Sequence, residues 1–154
     1  MGVLPPPDND YRGSKLAIAF VWLLIAQNAF RGWVHVFWAD SGAGRIAGID
    51  LSQNGAPVVS LLASIGIDQL AWLVLELGVV TRYRRWIPTL LAFVLAKYAA
   101  AAWLLWLWKP LGVEAPAKLG SLVGVPIVAA ALWLSLTRAT PLPLRTQRHS
   151  PEGK

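Results

Sequence analysis

The chain reads as an all-α integral membrane protein, a four-helix bundle. Three observations predict it: hydrophobic residues make up 56% of the 154 residues, charged residues only 14%, and the apolar residues gather into four long runs. An ordinary soluble domain carries about a quarter of its residues as charges. The missing cysteines exclude a disulfide-stapled module and a thiolate metal site. So little charge excludes a largely disordered chain.

The runs cover residues 16–38, 58–81, 86–108 and 119–137. At ~1.5 Å per helical residue, each can cross ~30 Å of hydrocarbon. Helix 1 follows a short N-terminal tail, residues 1–15, whose Pro5, Pro6, Pro7, Asp8 and Asp10 make no basic region leading into an apolar core. The reading is therefore an uncleaved first span. Pro6 also stands where a myristoylation signal places Ser or Thr. Helix 4 carries Gly120 and Gly124 four residues apart, a spacing at which another helix can approach closely. Pro126 removes a backbone donor one turn later, which predicts a kink. Residues 138–154, with Pro141, Pro143 and Pro151, read as a disordered tail.

With four spans, the N-terminus, the loop between helices 2 and 3, and the C-terminal tail share one side. Nine basic residues fall there, three on the opposite side, and Arg31 and Lys97 lie within spans. Basic loops remain in the cytoplasm, so both termini are expected there. The formal charge of +6 is thus a topology signal and an attraction to anionic membrane lipid, with no nucleic-acid partner implied. Trp33, Trp38, Trp103, Trp106 and Trp108 gather at the external ends of helices 1 and 3, and Trp86 marks the cytoplasmic interface. Such rings suit the headgroup region.

Ionisable groups inside a membrane are costly and must face the bundle interior. Helix 1 carries Gln27, Asn28, Arg31 and His35, of which the last three share a face; helix 2 carries Asp68, Gln69, Trp72 and Glu76, and helix 3 carries Lys97 and Tyr98. Counted inward from cytoplasmic ends at Leu16, Thr81 and Trp86, the positions of Asn28, Arg31, Asp68 and Lys97 are similarly deep. At ~1.5 Å per residue they fall within ~6 Å in height, so Asp68 is expected to neutralise Arg31 or Lys97. Glu76, close to the end of its span, is assigned to a cytoplasmic layer near Lys15 or Arg82 to Arg85.

Two readings follow. In one the cluster is structural, a buried ion pair with amides that set helix register. In the other, Asp68 is a general acid or base, Arg31 or Lys97 steadies developing negative charge, and His35 supports them. Gln27, Asn28, Asp40, Gln69, Trp72 and Tyr98 would then contact the ligand. His35 has no second histidine in the spans, and His149 lies in the tail, so neither a metal nor a haem site is expected. Gly42-Ala43-Gly44 lacks the strand and lysine of a nucleotide loop. The segment 39–57 mixes flexible and apolar residues, which suits either a cap over the outer mouth or a flat interfacial turn.

The four-span plan, the arginine in helix 1 and the sequence Leu77-Gly78-Val79-Val80-Thr81-Arg82 resemble the DoxX-like superfamily of small bacterial membrane proteins. Arg31 through His35 to Asp40-Ser41-Gly42-Ala43-Gly44, then Ile46-Ala47-Gly48, is similar to its uncharacterised members. The resemblance spans residues 16–137 and implies a four-helix bundle of the bacterial inner membrane, in some cases tied to quinol-linked redox systems or to maturation of partner enzymes. The chain departs from the superfamily in lacking the lysine usual after the helix 1 glycine. With no cofactor expected, the sequence reading is a pocket that binds or transforms a small lipophilic molecule of the quinone, isoprenoid or polyketide class by acid/base chemistry: isomerisation, cyclisation or epoxide opening. The alternative is a non-catalytic accessory subunit that forms a homo-oligomer or joins a larger complex through helix 4.

Overall fold

The computed structural model describes residues 5–110 and 112–137. It is an all-helical bundle of four helices, each long and apolar enough to cross a membrane: α1 Lys15–Phe37, α2 Gly55–Arg82, α3 Ile87–Trp103 and α4 Pro116–Leu136. The tail expected over 138–154 lies outside the described residues. Each span begins where the local chemistry permits it. Ser14 caps α1, its Oγ accepting the Leu16 N–H at 3.2 Å. Asn54, with φ 56°, reverses the chain into α2. Pro88 and Pro116 sit in the first turns of α3 and α4, where no N–H is needed. A three-residue 3₁₀ turn at Arg84–Trp86 joins α2 to α3, and α3 passes into a π turn at Leu104–Trp108. The α4 helix continues through Pro126.

The helices form two hairpins, α1 with α2 and α3 with α4, joined mainly by α1 against α4. Although consecutive, α2 and α3 touch sparsely. The apolar core lies toward the end bearing the N-terminus: Ala17, Val21, Leu24 and Ile25 of α1 pack with Val80, Ile87, Leu90, Leu91, Val94, Val128 and Ala131. Beyond Val94, no α3 residue is buried. Large apolar side chains such as Leu23, Leu61, Phe93, Leu107 and Trp133 point outward instead. That arrangement suits lipid, where outward apolar surface carries no hydration cost and each helix satisfies its own backbone.

Glycine sets the spacing of the first hairpin. A Cβ at Gly66 would come within 2.7 Å of His35 Cβ and 2.9 Å of Val36 Cγ2, and one at Gly32 within 2.7 Å of Leu70 Cδ2. The backbones therefore approach as small residues in membrane helices allow. Of the helix 4 glycines, Gly124 does the same in the second hairpin, where a Cβ would overlap the Tyr98 ring of α3, whereas a Cβ at Gly120 would meet nothing within 4 Å.

Two segments outside the spans are well organised. Residues 5–14 strap across one end of the bundle: Asp8 N–H donates to Arg82 O at 3.0 Å, Tyr83 Oη to Pro5 O at 2.8 Å, and Ser14 N–H to Leu134 O at 3.2 Å. At the other end, residues 38–49 fold into a compact knot. Asp40 accepts the N–H groups of Gly42 at 3.0 Å and Arg45 at 2.9 Å, and Gly42, at φ 76°, takes a turn that L side chains resist. Ser41, Gly42 and Ala43 are buried against the end of α1. The stretch 38–49 is thus a compact knot packed on the end of α1. Trp106 Nε1 donates to Lys118 O at 3.1 Å and its ring lies 4.8 Å from the Lys118 ammonium, fastening the end of α3 to the start of α4.

Candidate functional site

The deepest charged group is Glu76. Its side chain is 1% exposed, and both carboxylate oxygens accept from the Asn28 amide, at 2.9 and 3.0 Å. The register of the first hairpin explains the pairing. From the contact of Gly66 with His35 and Val36, Glu76 lies ten residues along α2, whereas Asn28 lies seven or eight back along α1. The mismatch of two to three residues, about 4 Å, is closed by the side chains, because each leans toward its own helix N-terminus and the helices run antiparallel. Glu76 is therefore not in a layer with Lys15 or Arg82 to Arg85. It belongs to the central polar group.

Asp68 takes the other place. It is exposed, and neither Arg31 nor Lys97 comes within 4.0 Å of its carboxylate; among the described residues the ion pairs are Arg12–Asp10, Arg85–Asp8 and Lys118–Glu114. The expected neutralisation of Arg31 or Lys97 by direct contact with Asp68 is thus corrected. Helical geometry gives the reason. Gly66, Gln69, Glu76 and Val80 mark the buried face of α2, and Asp68 is about a quarter turn off that face.

The charges still gather. Lys97 comes beside both carboxylates by way of Trp72, which stands four residues from Asp68 and four from Glu76. The Lys97 ammonium reaches across the weakly packed seam between α2 and α3 and lies 5.4 Å from the Trp72 ring centroid, close enough for a cation–π contact. With Glu76 counted, two cations face two carboxylates, so the group carries no excess of positive charge.

The remaining candidates separate. His35 Nδ1 donates to Ser41 O at 2.7 Å, tying α1 to the cap. Asp40 holds the knot, and the N–H groups of Arg45 and Gly42 keep its carboxyl below the usual carboxylate range. It also lines a shallow hollow of about 210 Å³ with Trp38, Ala39 and Arg45, away from the charge group. Gln27 and Tyr98 pair with each other, Nε2 to Oη at 3.0 Å. Gln69 is 7% exposed and its Oε1 has no partner among the described residues.

The arrangement can move a proton. Glu76 is a carboxylate shielded from solvent and steered by a neutral amide rather than locked by a cation, with Lys97 beside Trp72 one helical turn away on α2. Sequence reasoning places Glu76 elsewhere; the signal that could have found it is the charge count, since two cations within the spans call for two carboxylates. No family model, curated protein or solved structure matches the chain.

Proposed function

We propose that this protein binds a small lipophilic molecule in the seam between α2 and α3 and transforms it by proton transfer, with Glu76 rather than Asp68 as the acid/base. The observation that carries the reading is Glu76 itself: fully buried, held by the Asn28 amide, and in no ion pair among the described residues. A pair built only for stability would set the carboxylate against a cation. A neutral partner leaves the carboxylate basic enough to take a proton and return it. Lys97 or Arg31 would then stabilise the oxyanion that forms when a proton next to a substrate carbonyl is removed. Isomerisation is the simplest such reaction, since the proton returns at a second carbon and no co-reactant is needed. Asp68, exposed at the same seam, would guide the approach of the molecule.

On this reading the chain is a DoxX-like protein of the bacterial inner membrane, with both termini cytoplasmic. The strap supports that placement, because Arg12, Lys15, Arg82, Arg84 and Arg85 all lie at the end where residues 5–14 fold. The test is retention of native lipophiles. Wild type and Glu76→Gln are purified from their own membranes into nanodiscs, and the bound neutral lipids are extracted and compared by mass spectrometry. The proposal expects one species, or a substrate and product of equal mass, held by wild type and changed in amount or ratio in the variant. Identical extracts from a folded variant would leave the accessory-subunit reading in its place.

A further inference from the structure

A second feature lies across the bundle from the seam, where α1, α3 and α4 meet. A groove of about 210 Å³ opens there, walled by Phe20 and Leu23 of α1 and by Val123 and Ile127 of α4. At ~30 Å³ per water-sized group, it has room for roughly seven such groups. Leu23, Val123 and Ile127 are exposed at its rim, so it faces the lipid. Among the described residues, its polar lining side chains are Gln27 and Tyr98. Gly124 lets the Tyr98 ring seat closely against α4 in the lining of the groove: a Cβ there would overlap the ring.

The Gln27 to Tyr98 bond leaves donors over. With Gln27 Nε2 donating to Tyr98 Oη, the phenolic hydrogen is given to no acceptor among the described residues. Turning the amide the other way uses the phenol hydrogen but frees both Nε2 hydrogens, so in either orientation a donor faces the groove. An unmet donor in hydrocarbon is costly, and lipid tails offer nothing to accept it. Depth narrows the acceptor. Gln27 lies midway along α1, and Tyr98 lies a similar distance from the start of α3. At ~1.5 Å per residue both fall near mid-bilayer, away from the headgroup region where phospholipid esters sit.

We infer that this groove is a binding site for a neutral lipophile carrying a carbonyl on an apolar chain, its oxygen accepting from the Gln27/Tyr98 pair and its chain lying between Leu23 and Val123. The inference goes beyond the seam reading and does not depend on Glu76.

The probe is a symmetrical long-chain ketone labelled with ¹³C at its central carbonyl, which places that group at mid-bilayer. Isotope-edited infrared spectra are recorded in phosphatidylcholine proteoliposomes of the full chain over a range of ketone. Wild type should show a saturable, red-shifted carbonyl band from the hydrogen-bonded ketone. Tyr98→Phe should weaken binding by about tenfold, the worth of one hydrogen bond of ordinary net strength. Gly120→Phe should abolish the band by filling the groove from a position where a side chain meets nothing; it also decides the matter if Tyr98→Phe fails to fold. Glu76→Gln should leave the band unchanged, so failure here and failure of the seam reading are told apart. No saturable band in wild type, or the same band in folded Gly120→Phe, overturns the inference.

Discussion

Replacing Asn28 by Leu is the sharpest perturbation of the central group. The substitution roughly keeps side-chain volume but removes the amide that donates to both oxygens of Glu76 at 2.9 and 3.0 Å. A hydrogen bond to a charged acceptor is worth about 1.5–3 kcal/mol net, and at 1% exposure no solvent replaces it. We expect Asn28→Leu to destabilise the protein by about 2–3 kcal/mol. Glu76→Leu alone should also be costly, because it strands the Asn28 amide. The double variant should recover much of the sum, since replacing both partners by apolar groups leaves nothing unpaired. The assay is reversible unfolding in mixed micelles titrated with sodium dodecyl sulfate, followed by circular dichroism, as a double-mutant cycle. A coupling energy of about 1.5 kcal/mol or more supports the contact. If the two single-variant costs add to within about 0.5 kcal/mol, the residues do not interact, and the register derived from Gly32 and Gly66 is wrong.

Asp68→Asn should change stability by less than about 0.5 kcal/mol in the same titration, because the carboxylate makes no ion pair within 4.0 Å among the described residues; a loss of several kcal/mol would restore Asp68 as a structural partner. Gly66→Ala should cost about 1–3 kcal/mol, because its Cβ would meet His35 and Val36 at 2.7 and 2.9 Å and the hairpin must part. A neutral result would show that α1 and α2 are less tightly packed than described. The cap should be acid-sensitive. Asp40 is held below its ordinary range by the N–H groups of Arg45 and Gly42, so its stabilisation is complete above the ordinary value of ~4 and is lost as pH falls through the lower, folded value. Amide resonances of Gly42 and Arg45 followed by NMR should titrate there in wild type and stay still in Asp40→Asn.

The spans were legible because hydropathy alone decides them: expected runs 16–38 and 58–81 became Lys15–Phe37 and Gly55–Arg82. The site was only partly legible. Depth counted from the span ends treats all helices as ending at one height, yet the heights are fixed by where backbones touch, at Gly32 and Gly66, and side-chain lean shifts the polar tips further. Both errors displaced Glu76 outward and let Asp68 stand in for it. Asp68, Trp72 and Glu76 also look equivalent at spacings of four, although each step of four overshoots a full helical turn and only Glu76 ends up buried. The strap over residues 5–14 carries no periodic pattern, since its contacts are with residues far away in sequence: backbone atoms of Thr81, Arg82 and Leu134 and the side chains of Tyr83 and Arg85. The π turn at Leu104–Trp108 is equally silent, because its residues are as apolar as those of an α-helix.

The central claim is that Glu76 is a working carboxylate reached from the lipid. Labelling by a lipophilic carbodiimide, which partitions into the bilayer and couples to carboxyl groups there, tests it most directly. Proteoliposomes of the full chain are treated, and each adduct is mapped by mass spectrometry. An adduct at Glu76 as well as at exposed Asp68, with the Glu76 rate cut at least tenfold by Lys97→Trp placed in the seam, is the result this account predicts. Labelling at Asp68 alone, with Glu76 inert in the folded protein, would make the Asn28–Glu76 pair a closed structural element and contradict it.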